Sequence, residues 1–296
     1  MKKILILLIV TVVIASCRMQ KPSSKLFVQS ELKLISEGFS FTEGCSPDKE
    51  GNVFFTDQPN DKIWKYDTEG KLTLFLDKTG RSNGTYFDRE GNLLTCADEK
   101  GEIWSISPNG TVTILLDNVN GKQLNGPNDL WMDLKEGIYL TDPYYQRSYW
   151  SRTSPDLDSE DVYYLPKGSK IAKIIATGFD KPNGVVGTPD GKYLYIADIG
   201  AGKIYKYAIE KDGSLSDKQL FINRGADGMT LDHKGNIYLT GGDGVYIYNN
   251  KGASIGLIKV PKGPSNVCFS GKENNILFIT AKNAIYTIPM TVRGVE

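Results

Sequence analysis

The feature that most constrains this chain is an internal repeat with a period of about 40 to 50 residues, the interval that marks propellers and solenoid arrays. Six segments read as a tight turn followed by an apolar strand: EGNVFFTD at 50–57, EGNLLTCAD at 90–98, EGIYLTD at 136–142, DGKYLYIAD at 190–198, KGNIYLTG at 234–241 and NNILFITA at 274–281. Most continue into a second strand such as KIWKYD, EIWSIS or KIYKYA, a glycine turn such as TEG or PNG, and a third strand such as KLTLFLD or TVTILLD. A further strand precedes each turn. Four short strands per unit describe a propeller blade, because so small a twisted sheet buries its faces only against neighbouring copies. The repeat therefore predicts an all-β fold, a six-bladed β-propeller that requires no helix. The last unit stops at AIYTIPM without an outermost strand, while KLFVQSELKLI at 25–35 has no blade of its own. If that N-terminal strand completes the sixth blade, the ring closes and an open sheet edge disappears.

The repeat also allows one position to be compared across all units. Eight residues before Gly51, Gly91, Gly191 and Gly235 stand Glu43, Asn83, Asn183 and Asp227, and the matching residues in the two units with altered turns are Asn128 and Asn266. Each carries a carboxylate or carboxamide oxygen. At the start of innermost strands these six side chains would line the central channel as a ring. Asn and Asp ahead of strands also close turns through their own hydrogen bonds, but that habit does not account for one offset held in every unit, or for a Glu in the first. Converging oxygens, two of them charged, suit a hard cation, since Ca²⁺ takes roughly six to eight oxygen ligands. Calcium is the expected ion, with another divalent cation as the alternative. A transition metal that prefers nitrogen or sulfur finds neither His nor Cys in the ring.

The single histidine, His233, falls in a turn on the face opposite the ring, so a Ser-His-Asp triad is not expected. The one long insertion, DPYYQRSYWSRTSPDLDSEDVYY, lies on the ring face of the third unit. Its aromatics between Tyr144 and Trp150, with Arg147 and Arg152, suit a lid that stacks on a sugar-like ring and positions its hydroxyls or a carboxylate. Tyr145 and Arg147 join Asn83 and Asn128 as candidate substrate-binding residues.

Lys plus Arg equals Asp plus Glu at 35 each, and no basic run follows the first residues, so the footprint of a nucleic-acid binder is missing. MKKILILLIVTVVIASC combines two lysines, an apolar run too short to span a bilayer and a small-residue end. Residues 1–17 therefore read as a lipoprotein signal peptide whose IASC ending resembles a lipobox, with Cys17 lipidated. A plain secreted chain in which Cys17 is incidental is the alternative. Residues 18–24 would be a tether and 25–296 the propeller domain, exported to the cell envelope and touching membrane only through the anchor. Cys45, Cys96 and Cys268 read as small buried hydrophobes, although one disulfide pair is compatible with export.

FTEGCSPD, RSNGTYFD, LNGPNDLWMD, LTDPYY, DKPNGVVGTPDGKYLYIAD and ADGMTLDHKGNIYLT together resemble the SMP-30/gluconolactonase/luciferin-regenerating family, from about Glu43 to the C-terminus. The resemblance implies a six-bladed propeller with calcium in its channel and hydrolysis of a small-molecule sugar lactone. It matches Glu43, Asn183 and Asp227 to the family's metal ligands and Asn128 to a residue that touches substrate or metal. Asn83 and Asn266 occupy positions whose role varies. Many gluconolactonase-like sequences carry a Glu-His pair where this chain has Ala97 and Asp98, which leaves the preferred lactone open. The expected chemistry has calcium polarising the carbonyl and Asp227 assisting water as a general base, or attacking directly. A phosphotriesterase-like hydrolase on the same ion, and a non-catalytic propeller that binds a ligand or partner, are the competing readings. The sequence says nothing about oligomeric state.

Overall fold

A computed structural model describes residues 26–295. The expected signal peptide, tether and Cys17 lie outside the described residues. Among those described, strands assemble into six four-stranded sheets whose spatial order follows the sequence. Blade one runs outward through Thr42–Pro47, Val53–Asp57, Lys62–Tyr66 and Leu72–Asp77. The inner strands of the other blades are Ser82–Phe87, Leu130–Met132, Pro182–Gly187, Met229–Leu231 and Asn266–Ser270. No helix of the described residues is long and apolar enough to cross a membrane.

The sixth sheet is ordered Asn266–Ser270, Ile276–Ala281, Ala284–Pro289 and then Lys33–Glu37. The N-terminal strand thus closes the ring as the sequence predicts, pairing antiparallel with Lys33 opposite Thr287 and Glu37 opposite Ala284. It starts later than the 25–35 stretch suggests. Gln29–Glu31 form a 3-10 turn, and before it only Phe27 bridges the last strand, at Met290. A second 3-10 turn, Gln58–Asn60, follows the second strand of blade one.

The recurring turn is built by its own side chains. Asp48 accepts the backbone N–H groups of Glu50 and Asn52 at 3.0 and 2.9 Å, and Gly51 takes φ +84°, a left-handed conformation that glycine adopts without a Cβ clash. Apolar residues form six clusters, one at each junction between neighbouring blades. Phe54, Ile63, Leu93 and Ile106 lie between blades one and two, while Cys45, Phe55, Cys268 and Phe278 seal blade six to blade one. The core is therefore a set of wedges around an axis, and at the ring level the axis is left to polar groups.

Near the axis the inner strands crowd. The residue after the ring position is glycine in four blades, and a Cβ on Gly44 would sit 1.9 Å from the carbonyl oxygen of Asn83. Threonines of the second strands of blades one, three and five then stitch their blade to the next ring residue or its neighbour. Thr56 Oγ1 donates to the Asn83 carbonyl at 3.1 Å, Thr141 to Asn183 at 2.7 Å and Thr240 to Ser265 at 2.8 Å.

Two glycine substitutions separate backbone conformation from crowding. Gly44→Ala meets both a left-handed φ of +45° and the neighbouring carbonyl, and it is expected to cost about 3 kcal/mol or more. Gly91→Ala meets only its φ of +85°, with nothing within 4 Å of the new Cβ, and should cost about 1 to 2 kcal/mol. Urea denaturation of the two variants compares them directly, and equal losses would contradict the crowding.

Candidate metal and catalytic site

The six ring residues stand at or just before the inner strands, and four of them, Asn266, Glu43, Asp227 and Asn183, come within hydrogen-bond reach of one another. Glu43, Asn83, Asn128, Asn183 and Asn266 are buried, and Asp227 keeps part of its surface open to solvent. In blades one, two and four the ladder slips register at the ring position, between Glu43 and Ser46, Ser82 and Thr85, and Pro182 and Val185. Such bulges re-aim a side chain out of the regular pleat. In blades three and five the ring residue stands just ahead of the strand.

Four neighbouring blades join their ring side chains into one arc. Asn266 Nδ2 donates to Glu43 Oε2 at 3.2 Å, and the Gly44 backbone N–H donates to the same oxygen at 3.0 Å. Asp227 lies within hydrogen-bond reach of both Glu43 and Asn183. Burial, then the charge of Asp227, pushes the Glu43 carboxyl well above its usual range. Burial likewise lifts Asp227 to about 6, against hydrogen bonds from Glu43 and Asn183 and the positive charge of Arg147. Two carboxyls so close oppose each other's ionisation unless a cation joins them. Across the channel, Asn83 Oδ1 is buried with no hydrogen-bond partner. Closely paired acids, together with an orphaned amide oxygen, are a donor set that suits a hard cation. Among the described residues no three His, Cys, Asp or Glu side chains form a ligand group, so amides must supply the remaining oxygens.

The insertion of blade three reaches this arc. Asn183 Nδ2 lies 3.5 Å from the Tyr145 hydroxyl, and the Arg147 guanidinium lies 5.5 Å from the Tyr145 ring. His233 stands at the opposite mouth, with its ring Nδ1 3.2 Å from the Arg293 carbonyl, and it takes no part. Below the ring the next layer of inner-strand residues, Cys45, Thr85, Leu130, Val185, Met229 and Cys268, lines a largely apolar cavity of about 360 Å³ on that far side. Cys45, Cys96 and Cys268 are buried and unpaired.

Three acidic residues escape a reading based on the ring alone. Asp129, beside Asn128, accepts the backbone N–H groups of Leu130 and Val185 at 2.9 and 3.1 Å, which ties blade three to blade four, and burial lifts it to about 7. Its signal was available: it replaces the glycine that four other blades place after the ring residue. Asp142 and Asp98 end second strands, a position that holds aspartate in blades one to four. Burial also lifts Asp142 to about 7.

The sequence profile of the SMP-30/gluconolactonase/LRE-like region matches residues 41–283. The chain belongs to this family. Over 294 aligned residues it is 26% identical to a gluconolactonase of Zymomonas mobilis, covering 89% of this chain and 82% of that one. A solved gluconolactonase from Xanthomonas campestris superposes with TM-score 0.82 at 26% identity, over 88% of this chain and 89% of its own. A calcium-binding regucalcin from Agrobacterium tumefaciens shares the fold with TM-score 0.75 at 17% identity, over 88% and 94% of the two chains. As a member of the SMP-30/gluconolactonase/LRE-like family with gluconolactonases among its relatives, the chain is supported as a lactonase.

The buried acids make stability depend on pH. Asp227, Asp129 and Asp142 have folded values near 6 to 7 against an ordinary 3.8, so their contribution is complete below 3.8 and is lost as pH rises through the folded values. Exposed aspartates with lowered values, Asp67, Asp190, Asp212 and Asp243, are already ionised across that window. Chelator-treated protein should therefore unfold at lower urea concentration at pH 8 than at pH 5. A midpoint that is flat or rises over this range contradicts the paired-acid description.

Proposed function

We propose that this protein is a calcium-dependent lactonase that opens a sugar lactone to its hydroxy acid. The observation that carries the reading is the contact of Glu43 with Asp227 on the propeller axis, two carboxyls whose charges need a shared cation. Glu43, Asn183, Asp227 and Asn128 would hold the ion, which would supply a Lewis acid for the ester carbonyl. Asp227 takes the proton from the attacking water at its carboxylate. It is the ring acid that keeps part of its surface open to solvent, which leaves its carboxylate accessible to an attacking water. Asn183 orients that carboxylate and connects it to the Tyr145 hydroxyl. Arg147 and Tyr145 close the mouth and offer donors to the hydroxyl groups of the sugar, with Asn83 and Asn128 beneath them. Burial keeps the Tyr145 phenol near 12, so it stays a donor throughout the working range.

Asp227→Asn and Glu43→Gln are each expected to lower kcat on an aldonolactone by about 100-fold or more. Chelator should abolish turnover in the unaltered protein and calcium should restore it. A folded Asp227→Asn variant with unchanged kcat overturns the assignment.

The leader-like residues 1–17 support export, with Cys17 as the lipid anchor. Labelling cells with a radioactive fatty acid should mark the full-length protein and not its Cys17→Ser variant. Equal labelling of both would remove the anchor from the account.

A further inference from the structure

The aspartate that ends the second strand has a repeated task. Asp57 accepts the backbone N–H groups of Ser40 and Phe41, Asp142 those of Asn125 and Gly126, and Asp198 that of Asp180, each closing the segment that leads into its own blade. Asp98 occupies the same position in blade two and does not perform that task. Asp61 of blade one performs it instead, its Oδ1 taking the N–H groups of Thr79 and Arg81 at 2.8 and 2.7 Å. Asp98 is released, and it turns to the insertion of blade three. Its Oδ2 accepts from Arg147 Nε at 3.1 Å, from the Tyr149 hydroxyl, and from Gln58 Nε2 at 3.1 Å, while its backbone carbonyl accepts from Trp150 Nε1 at 3.1 Å.

We propose that Asp98 is a positioning residue that latches the 143–161 insertion over the pore and so sets where Arg147 and Tyr145 meet the substrate. This inference rests on the lactonase reading above. Asp98 is 1% exposed, and a carboxylate so buried is tolerated only when paired and hydrogen-bonded. Every donor to its side chain comes from the insertion or from Gln58 and falls on Oδ2, so the insertion offsets part of its burial while Oδ1 stays buried without a partner. The grip on Arg147 is specific. Nε is bound by the latch, whereas the two Nη groups have no hydrogen-bond partner among the described residues, and the guanidinium is near enough to the pore to act on Asp227. A guanidinium anchored by its inner edge presents its outer donors in one fixed orientation, which is what recognition of a polyhydroxylated ring requires. Further contacts secure the same segment. The Arg81 guanidinium stacks 4.2 Å from the Tyr149 ring, and Arg152 stacks 4.0 Å from the Trp150 ring while donating to the Leu124 carbonyl at 2.9 Å.

The test uses the full chain with calcium and compares the unaltered protein with Asp98→Ala, Asp98→Asn and Tyr149→Phe. Two readouts are taken: the rate of trypsin cleavage after Arg147 and Arg152, mapped by mass spectrometry, and the separate kcat and KM on the best aldonolactone. The latch predicts that both Asp98 variants are cleaved at these sites at least about tenfold faster and that KM rises about tenfold with kcat changed less than about threefold, one lost hydrogen-bonding contact being worth roughly that factor. Tyr149→Phe should fall between. A residue that merely packs would lower the melting temperature without dividing KM from kcat. Unchanged cleavage and unchanged KM in a folded Asp98 variant overturn the proposal. Should Asp98→Ala aggregate, Tyr149→Phe leaves the carboxylate in place and carries the same two measurements. If the unaltered protein turns over no lactone, the lactonase reading fails while the cleavage rates still decide whether Asp98 holds the insertion.

Discussion

Bringing six inner strands around one axis leaves so little room that the chemistry of the axis follows from the packing. The next blade's backbone occupies the space a side chain would need just after the ring residue, as Gly184 against the Asp227 carbonyl and Gly228 against the Asn266 amide illustrate. The ring side chains themselves have only one direction left, inward. Most apolar side chains are buried in the wedges between blades or in the layer below the ring. Six oxygen-bearing groups and their charges are what remains.

The channel is consequently two-sided. Its ring end gathers Glu43, Asp227 and four amides under an aromatic and cationic insertion, while the layer below is thiol, thioether and aliphatic apart from Thr85. A polar molecule entering from the ring face meets groups that match its hydroxyls and carbonyl, and it stops at an apolar floor. Burial among these packed strands raises both Glu43 and the neighbouring Asp129.

Much of this was readable from the sequence, for a physical reason. A period of turns and strands survives any substitution that keeps the blade, so the six-fold ring, the closing N-terminal strand and the positions of Glu43, Asn83, Asn183 and Asp227 were accessible by offset, and those of Asn128 and Asn266 by matching the two units with altered turns. What was not accessible depends on partners distant in sequence. Asp98 looks like its repeat mates Asp57, Asp142 and Asp198, and only the coordinates reveal that Asp61 has taken over its usual contacts. The closing strand also pairs later than the 25–35 stretch, which has no blade of its own, suggests. Pairing is decided by the partner strand Ala284–Pro289, and it begins at Lys33.

The sheet that contains both ends of the described chain has a temporal consequence. Lys33–Glu37 can find its partner only after Ala284–Pro289 exists, so blade six cannot be assembled while synthesis or translocation is still under way. Until then the outer flank of blade one, with Phe55 and Cys45, faces no neighbour. Contacts spanning nearly the whole length form slowly and leave apolar surface exposed meanwhile. A chain synthesised from its N-terminus therefore carries this seam unfastened until the residues after Asn266 arrive.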